Sequence, residues 1–374
     1  MSNRWLGRGA ALVGLVLLLI APFFLAQFWE QAGLFAMAAV IGAIGLTILT
    51  GTTGQLSLAH AFFLAVGAYS YCYLAGHKGV GVEAVSGLGL PPLLAMILAV
   101  LLAGLCGALF SPISGRLRGI YLGIASIGLV FIGQHLLFNA TGLTGGFNGR
   151  DAEPFSLFGF HFQQGSPDLT VGGVEFGQLE KLWYLGLVLV AIAYVVAKNV
   201  VGGRPGRALE AVRDSEVAAA VMGVDPIRYK AAAFTLSSMY AGLAGVLYAL
   251  VFGRIVPNTF GFPLSVDFLA MIVLGGLGSI RGAALGAIFV ALLPRVLDHY
   301  SGSLPLVDDT GSTGGLQPSQ AARLIYGIAV IAVLLYLPGG LAGLGERIKR
   351  RRSPGRKTAA PESARPSTEL KETT

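Results

Sequence analysis

Three polar side chains, Gln55, Ser57 and His60, lie in a mostly apolar segment that also contains Gly51 and Gly54. Amide, hydroxyl and imidazole groups can hydrogen-bond a small polar solute. Glycines permit a helix to break, and a break frees backbone groups that can bind the same solute. In an apolar environment, such side chains otherwise hydrogen-bond neighbouring helices. The residue types leave both interpretations open.

A second glycine-rich segment lies between two short apolar runs in the latter half of the chain. Interrupted helices in corresponding places of two halves are typical of transport sites in repeat-built transporters. The internal similarity between the halves is faint here. We therefore predict that one set of residues lines or supports a solute path: Gln55, Ser57, His60, Gly275, Gly276 and Gly278.

Other chemistries find no support in the sequence. A Gly-Lys pair occurs nowhere, which excludes the G-x-x-x-x-G-K-[ST] loop that binds nucleotide phosphates. Cys72 and Cys106 lie far apart in apolar runs, and the 5 histidines are scattered, so we expect neither a disulfide nor a metal site. No nucleophile and base stand out as a pair. We expect no cofactor and no enzymatic activity.

The composition is that of a membrane protein, because 54% of the residues are hydrophobic and only 12% are charged. A segment that crosses a bilayer must be helical to satisfy its backbone hydrogen bonds. We predict an all-α integral membrane protein, a polytopic bundle of about ten spans (eight to ten) with broken or re-entrant helices. The predicted spans are 10–28, 32–49, 56–75, 91–112, 119–138, 182–197, 229–252, 266–280, 283–297 and 322–338.

Two of these predictions have alternatives. The run from Ala10 to Trp29 is long enough to span, so we interpret it as a retained first helix rather than a cleaved signal peptide. The runs 266–280 and 283–297 are short, and they form either two tilted spans or one re-entrant hairpin. Both choices return the chain to the same side of the membrane.

The positive charges predict the orientation, since cytoplasmic loops collect Lys and Arg. With the N-terminus inside, six of the 26 cations lie outside: Lys78, Arg150, Lys181, Arg254, Arg295 and Arg323. We therefore expect a multi-pass protein of the cytoplasmic membrane with both termini in the cytoplasm. The net charge of +7 is then a topology signal, and we expect the lipid bilayer, not nucleic acid, as its partner.

The chain divides into a membrane domain, 1–344, and a tail, 345–374. The membrane domain contains a long outer loop, 139–181, and an inner loop, 198–230. The tail is rich in Arg, Lys, Pro, Ser and Thr, and it lacks the apolar residues needed to fold alone. We predict a disordered basic cytoplasmic tail.

Several motifs resemble one family. The segments 50–63 and 273–282 resemble the "G-x-x-G-Q-x-S-L-G-H-A-x-F" and "V-L-G-G-L-G-S" stretches of permeases from ABC importers for branched-chain amino acids. Further matches, in the family's order, lie at 117–121, 143–146, 207–213 and 222–224 with 228–230. Ala59 replaces the family's usual Gly and keeps its small size. The long outer loop and the Arg-rich link before Glu210 favour the M-type over the H-type subunit.

The resemblance implies both a function and partners. It implies a permease subunit without its own nucleotide-binding motif that works with an H-type permease chain, two cytoplasmic ATPase subunits and an extracytoplasmic solute-binding protein. It also implies branched-chain or related small amino acids as solutes, with urea, amides or sugars as alternatives. Two other classes of membrane protein are alternatives. An ion-coupled secondary carrier would bury a carboxylate within a span, and the predicted positions of Asp267 and Asp298 at span ends weigh against it. An embedded enzyme would need a convergent catalytic set.

Within the inner loop, the stretch from about Arg204 to Arg228 is the predicted docking site for the ATPase. ABC importers in general carry an E-A-A-x-x-x-G pattern in this loop. If Gly223 is the final glycine of the pattern, Val217 stands at the position of the glutamate, and Glu216 lies one place too early. We predict a short helix over 217–222, with Gly223 as the turn and Pro226 as its end. The alternative is a helix on the lipid surface. The predicted coupling residues are Glu210, Glu216, Ala218, Ala219 and Gly223.

Overall fold

The computed structural model describes residues 13–14, 16–77, 86–117, 119–157, 159–163, 170–171, 174–175, 177–300, 318–336 and 340–343. The predicted tail, 345–374, lies outside these residues. The helices are α1 Gln27–Leu46, α2 His60–Ala75, α3 Pro92–Arg116, α4 Ile120–Asn139, α5 Thr141–Thr144, α6 Gln178–Gly202, α7 Arg204–Asp214, α8 Glu216–Val221, α9 Pro226–Phe252, α10 Phe262–Gly275, α11 Ile280–Tyr300 and α12 Pro318–Tyr336. A π-helical turn, Thr47–Gly51, extends α1.

Six helical segments among the described residues are long and apolar enough to cross a membrane: Gln27–Gly51, Pro92–Arg116, Ile120–Asn139, Gln178–Gly202, Pro226–Phe252 and Ile280–Tyr300. A helix also lies at each of the other predicted ranges from 56–75 onward. The first predicted range, 10–28, is wrong at its end. Its helical residues give way to a 3₁₀ turn at Ala21–Phe23, where Pro22 lies, and a new helix begins at Gln27.

Helix α1 lies at the core of the bundle. Nearly all residues in its most apolar stretch are buried. It packs against α6, α9 and α11, and glycines permit the close approach. A Cβ at Gly33 would lie 2.3 Å from the Trp183 ring, and one at Gly45 would lie 2.3 Å from Cβ of Tyr240. Small residues that let helices approach are the usual basis of packing in membranes.

The crossing of α2 and α9 is tighter still. A Cβ at Gly67 would lie 2.2 Å from the carbonyl oxygen of Gly242, and one at Gly245 would lie 2.0 Å from that of Leu64. The outer helices are different: α3, α4 and α6 leave large apolar side chains exposed, among them Leu109, Phe131 and Val188. Such faces suit contact with lipid or with another membrane subunit.

The helices α10 and α11 form a hairpin with a glycine break between them. A Cβ at Gly275 would lie 2.2 Å from the carbonyl oxygen of Gly282, and one at Gly286 would lie 2.0 Å from that of Met271. With 14 residues, α10 is about 21 Å long, shorter than the ~30 Å hydrocarbon core of a bilayer. By contrast, α11 has 21 residues and is long enough to span.

Short strands lie at one end of the bundle, which we call the loop end, so the fold is not purely α-helical. The strand β1 Arg150–Asp151 pairs with β6 Arg254–Ile255, and two hairpins are formed by β2 Ser156–Leu157 with β3 Phe160–His161 and by β4 Thr170–Val171 with β5 Val174–Glu175. Buried Arg150 donates to the carbonyl oxygen of Leu143 at 2.7 Å, and burial lowers the pKa of its guanidinium. The Tyr71 hydroxyl donates to the carbonyl oxygen of Glu153 at 2.9 Å. The Arg150 bond lies within the 139–181 segment, whereas the Tyr71 bond and the β1–β6 pairing fasten that segment to the membrane helices.

Candidate functional site

The predicted solute segment begins where α1 changes from α-helical to π-helical winding at Thr47–Gly51. A π-turn breaks the regular i→i−4 pattern and often marks a functional site. The Thr53 hydroxyl donates to the carbonyl oxygen of Leu49 at 2.6 Å, and the Thr52 hydroxyl donates to that of Ile48. After Gly54, at φ 70°, the backbone is non-helical until His60. The break predicted from Gly51 and Gly54 is therefore present.

The three polar side chains of this segment are buried, with exposed fractions of 6% for Gln55 and 3% for both Ser57 and His60. Neither amide atom of Gln55 has a hydrogen-bond partner among the described residues. Ser57 Oγ accepts from its neighbour, the Ala59 amide, at 3.4 Å. His60 Nε2 faces Gly42 without a well-aligned hydrogen bond, and its ring lies 4.8 Å from that of Phe268. Because a buried amide without a partner is costly, Gln55 is suited to receive one.

Two serines that the sequence analysis did not single out hold the backbone of the broken segment. Ser126 Oγ on α4 accepts from the Leu58 amide at 2.8 Å and donates to the carbonyl oxygen of Gly123 at 2.7 Å. Ser265 Oγ on α10 accepts from the Ala61 amide at 3.0 Å. Both serines are buried. A small polar residue in an otherwise apolar stretch of helix was the available signal.

The two glycine-broken segments meet. A Cβ at Gly51 would lie 2.7 Å from both N and Cα of Gly278, so only glycine fits there without displacement. Gly276 and Gly278 adopt φ values of 105° and 82°, which favour glycine. The structure thus brings the segment around Gly51 into contact with the break between α10 and α11. It does so through the backbone rather than through the predicted polar side chains.

The predicted coupling residues lie on α7 and α8 or beside them, at the opposite end from the strands, which we call the basic end. Ser215 caps α8 by accepting from the Ala218 amide at 3.2 Å, and Glu216 pairs with buried Lys230 on α9 at 2.5 Å. Glu210, Ala218 and Gly223 are exposed, whereas Ala219 is buried. The large exposed apolar side chains of α8 and its C-terminal end are Val217 at 76%, Val221 at 82% and Met222 at 83%. The predicted short helix therefore exists, and its free face carries these three large side chains together with Ala218 and Ala220, whereas Ala219 faces inward.

The prediction that Pro226 ends this helix is wrong. The helix ends at Val221, and Gly223 at φ 82° makes the turn. Pro226 instead begins α9, where a missing amide hydrogen costs nothing. Asp225 caps α9 by accepting from the amides of Ile227 and Arg228.

The two carboxylates weighed for an ion-coupled carrier lie in helices. Asp267, predicted at a span end, lies in the second turn of α10, and its Oδ1 accepts from the Tyr326 hydroxyl at 3.2 Å. Asp298 lies in the last turn of α11. Among the described residues, no group of three or more His, Cys, Asp or Glu side chains could hold a metal ion.

Comparison with known protein families identifies the family to which this chain belongs. A family model described as a permease component of the branched-chain amino acid transport system matches residues 30–334, most of the chain. The chain belongs to this permease family. The resemblance inferred from the motifs is confirmed. Members of this family are transport components rather than enzymes.

Individual relatives agree with the family assignment. The permease is 34% identical over 304 residues to "High-affinity branched-chain amino acid transport system permease protein LivM" of Escherichia coli, which covers 78% of this chain and 69% of the relative. It is 27% identical over 258 residues to a probable LivM of Methanocaldococcus jannaschii, covering 67% of each. Identity with LivH of Escherichia coli is 25% over 331 residues, 87% of this chain and 97% of the relative. The permease is therefore LivM-like. No solved structure matches it.

Proposed function

We propose that this permease is the M-type subunit of an ABC importer that carries branched-chain or related small amino acids across the cytoplasmic membrane. The observation that carries the proposal is the meeting of two broken helical segments, one of which contains the buried Gln55 amide that has no hydrogen-bond partner among the described residues. Backbone and amide groups of this kind can replace the water around a zwitterionic solute, which hydrocarbon cannot do. The names of the LivM and LivH relatives supply the solute class.

The proposal includes the partners and the topology. An H-type chain pairs with this permease, two ATPases bind at the basic end, and a solute-binding protein delivers solute at the loop end. We further propose that the chain spans the membrane eight to ten times and that both termini are cytoplasmic. The helical residues before Ala21 and the helices α2, α10 and α12 then count as additional or re-entrant crossings.

The test of the function is reconstitution. The permease, an H-type chain, the ATPases and the binding protein are placed in vesicles, and ATP-dependent uptake of labelled leucine is measured. Isoleucine and valine should compete with leucine, while urea and sugars should not. Competition by urea or a sugar alone would reassign the solute. Absence of any co-purifying ATPase would favour a secondary carrier instead.

The orientation predicts a labelling pattern. Ser156 lies on β2 at the loop end, and Ala220 lies exposed on α8 at the basic end. In intact cells, an impermeant thiol reagent should modify Ser156→Cys, and it should modify Ala220→Cys only after the membrane is opened. Of the two native cysteines, Cys72 is buried, and Cys106, which is partly exposed, is replaced by alanine in both variants. The reverse pattern would invert the proposed topology.

The path residues predict a transport defect without a folding defect. Gln55→Leu keeps the volume of the side chain but removes the amide, so we expect leucine uptake to fall about tenfold, as for the loss of one buried hydrogen bond to a charged group. Ser57→Leu should also lower uptake. The matched control is Gln31→Leu, because Gln31 is an exposed glutamine on α1 at the loop end. Normal uptake by both path variants, at equal membrane abundance, would leave these side chains with a structural role only.

A further inference from the structure

One arginine at the basic end reaches into the broken segment. Arg213 lies in the last turn of α7, and its Nη1 donates to the carbonyl oxygen of Gly51 at 3.0 Å. Gly51 is the residue whose backbone packs against Gly278. A single side chain therefore joins the inner helices to the place where the two broken segments meet.

The Gly51 carbonyl is a suitable acceptor. It belongs to the last turn of a helix, where carbonyl groups lack intrahelical donors and carry partial negative charge. The site also has room for the arginine, since a Cβ at Gly54 would lie 3.2 Å from Cγ of Arg213. Gly54 thus leaves space for the side-chain stem while Gly51 supplies the acceptor.

The other end of the connection is fixed by packing. Leu209 and Val212, on α7 with Arg213, are buried, and the Cβ of a side chain at Gly206 would lie 1.9 Å from the carbonyl oxygen of Val201 on α6. The Glu216–Lys230 pair ties α8 to α9. Because only Ser215 separates α7 from α8, a displacement of the exposed α8 face would also move Arg213.

The neighbouring ion pair does not account for Arg213. Its Nε lies 3.3 Å from Oδ1 of Asp214, but the two side chains are 43% and 71% exposed. Exposed pairs of this kind contribute little. The contact that links two separate parts of the fold is the hydrogen bond to Gly51.

We propose that Arg213 is a positioning residue that transmits movement of α7 and α8 to the Gly51–Gly278 contact, and so couples ATPase binding and hydrolysis to opening of the path. This inference rests on the proposed function. Arg213 does not touch the solute and takes no part in hydrolysis. Removal of the Arg213 side chain should uncouple ATP hydrolysis from solute uptake, while the ATPases should still bind.

The experiment uses the full complex with the H-type chain, ATPases and binding protein in vesicles. Leucine uptake and ATP hydrolysis are measured together for wild type, Arg213→Ala, Arg213→Lys and Arg116→Ala. Arg116, the exposed last residue of α3, is the matched control. We expect Arg213→Ala to retain the ATPases and their hydrolysis but to lower leucine moved per ATP about tenfold. Arg213→Lys should give an intermediate ratio of leucine moved per ATP, because lysine keeps the charge but replaces the planar guanidinium with a single ammonium group. Arg116→Ala should match wild type.

A second measurement does not depend on the solute. Leu277 is exposed in the break between α10 and α11, so the reactivity of Leu277→Cys toward a thiol reagent reports movement there. We expect ATP to change this reactivity in the Leu277→Cys variant that retains Arg213. ATP should have no such effect when Leu277→Cys is combined with Arg213→Ala. Three results for Arg213→Ala would each overturn the inference. They are an ATP-dependent change in thiol reactivity that persists, a ratio of leucine moved per ATP like that of Arg116→Ala, and a loss of bound ATPase. If wild type hydrolyses ATP without leucine uptake, the proposed function fails, and the Leu277→Cys result alone decides on Arg213.

Discussion

The double substitution Val221→Glu, Met222→Glu should prevent the ATPases from co-purifying with the permease and should abolish uptake. Both side chains are more than four-fifths exposed at the C-terminal end of α8, so the isolated permease loses no packing. In the complex, each would lose about 1.5–3 kcal/mol of burial, and an unpaired buried charge costs several kcal/mol more. We expect an affinity loss of at least about 100-fold, measured as ATPase retained on the immobilised permease.

The control places the same chemistry at the opposite end. Phe147→Glu introduces a charge at an aromatic side chain that is also exposed, in the 139–181 segment at the loop end. This variant should retain wild-type ATPase. Unchanged ATPase binding by the Val221, Met222 variant would show that α8 is not the docking element. A charge at Ala219 or Gly223 is a weaker test, since Ala219 is buried and Gly223 has φ 82°.

Gly245→Leu should prevent the permease from accumulating in folded form. Its Cβ would lie 2.0 Å from the carbonyl oxygen of Leu64, and backbone cannot move aside as a flexible side chain can. Overpacking of a tight core typically costs 1–3 kcal/mol, and it costs more when backbone must shift. Here α2 and α9 would have to separate. The measurement is the monodisperse fraction on size exclusion after detergent extraction, together with the thermal midpoint.

Gly128→Leu is the matched control for this substitution. Gly128 lies on α4, and a Cβ there meets nothing within 4 Å. The elution profile and thermal midpoint of Gly128→Leu should match those of wild type. A wild-type profile for Gly245→Leu would mean that the α2–α9 crossing tolerates separation and is not the tight contact described above.

The sequence predicted the features that depend on local composition. Apolar runs of spanning length predicted most helices, because a membrane permits little else, and glycines with polar neighbours predicted both breaks. The orientation of α8 was harder. A helix over 217–222 follows from composition, but which face is free depends on how Ala219 packs against the rest of the fold. Pro226 illustrates the same limit, since proline marks a helix start as readily as a helix end.

Contacts between distant segments could not be predicted from one sequence. Nothing in the type of Arg213 indicates that it bonds to Gly51, 162 positions away. The same holds for Ser265, which bonds to Ala61 across 204 positions. Spacing rules report neighbours on one helix, whereas these pairs depend on how helices cross. The polar set around Gln55 was predicted by residue type, but the serines that fix its backbone were not.

The burial of α1 has a consequence for biosynthesis. The first complete helix of the described chain packs mainly against α6, α9 and α11, which are translated much later. At ribosomal rates of about 5–20 residues per second, α1 leaves the ribosome roughly 10–40 s before α9 begins to emerge. During that interval its glycine-lined surfaces, among them Gly42 and Gly45, meet lipid or an insertion factor instead of their final partners. Insertion of α1 therefore precedes its packing in the bundle by many seconds, and its exposure in that interval leaves it open to wrong pairing with other nascent membrane helices.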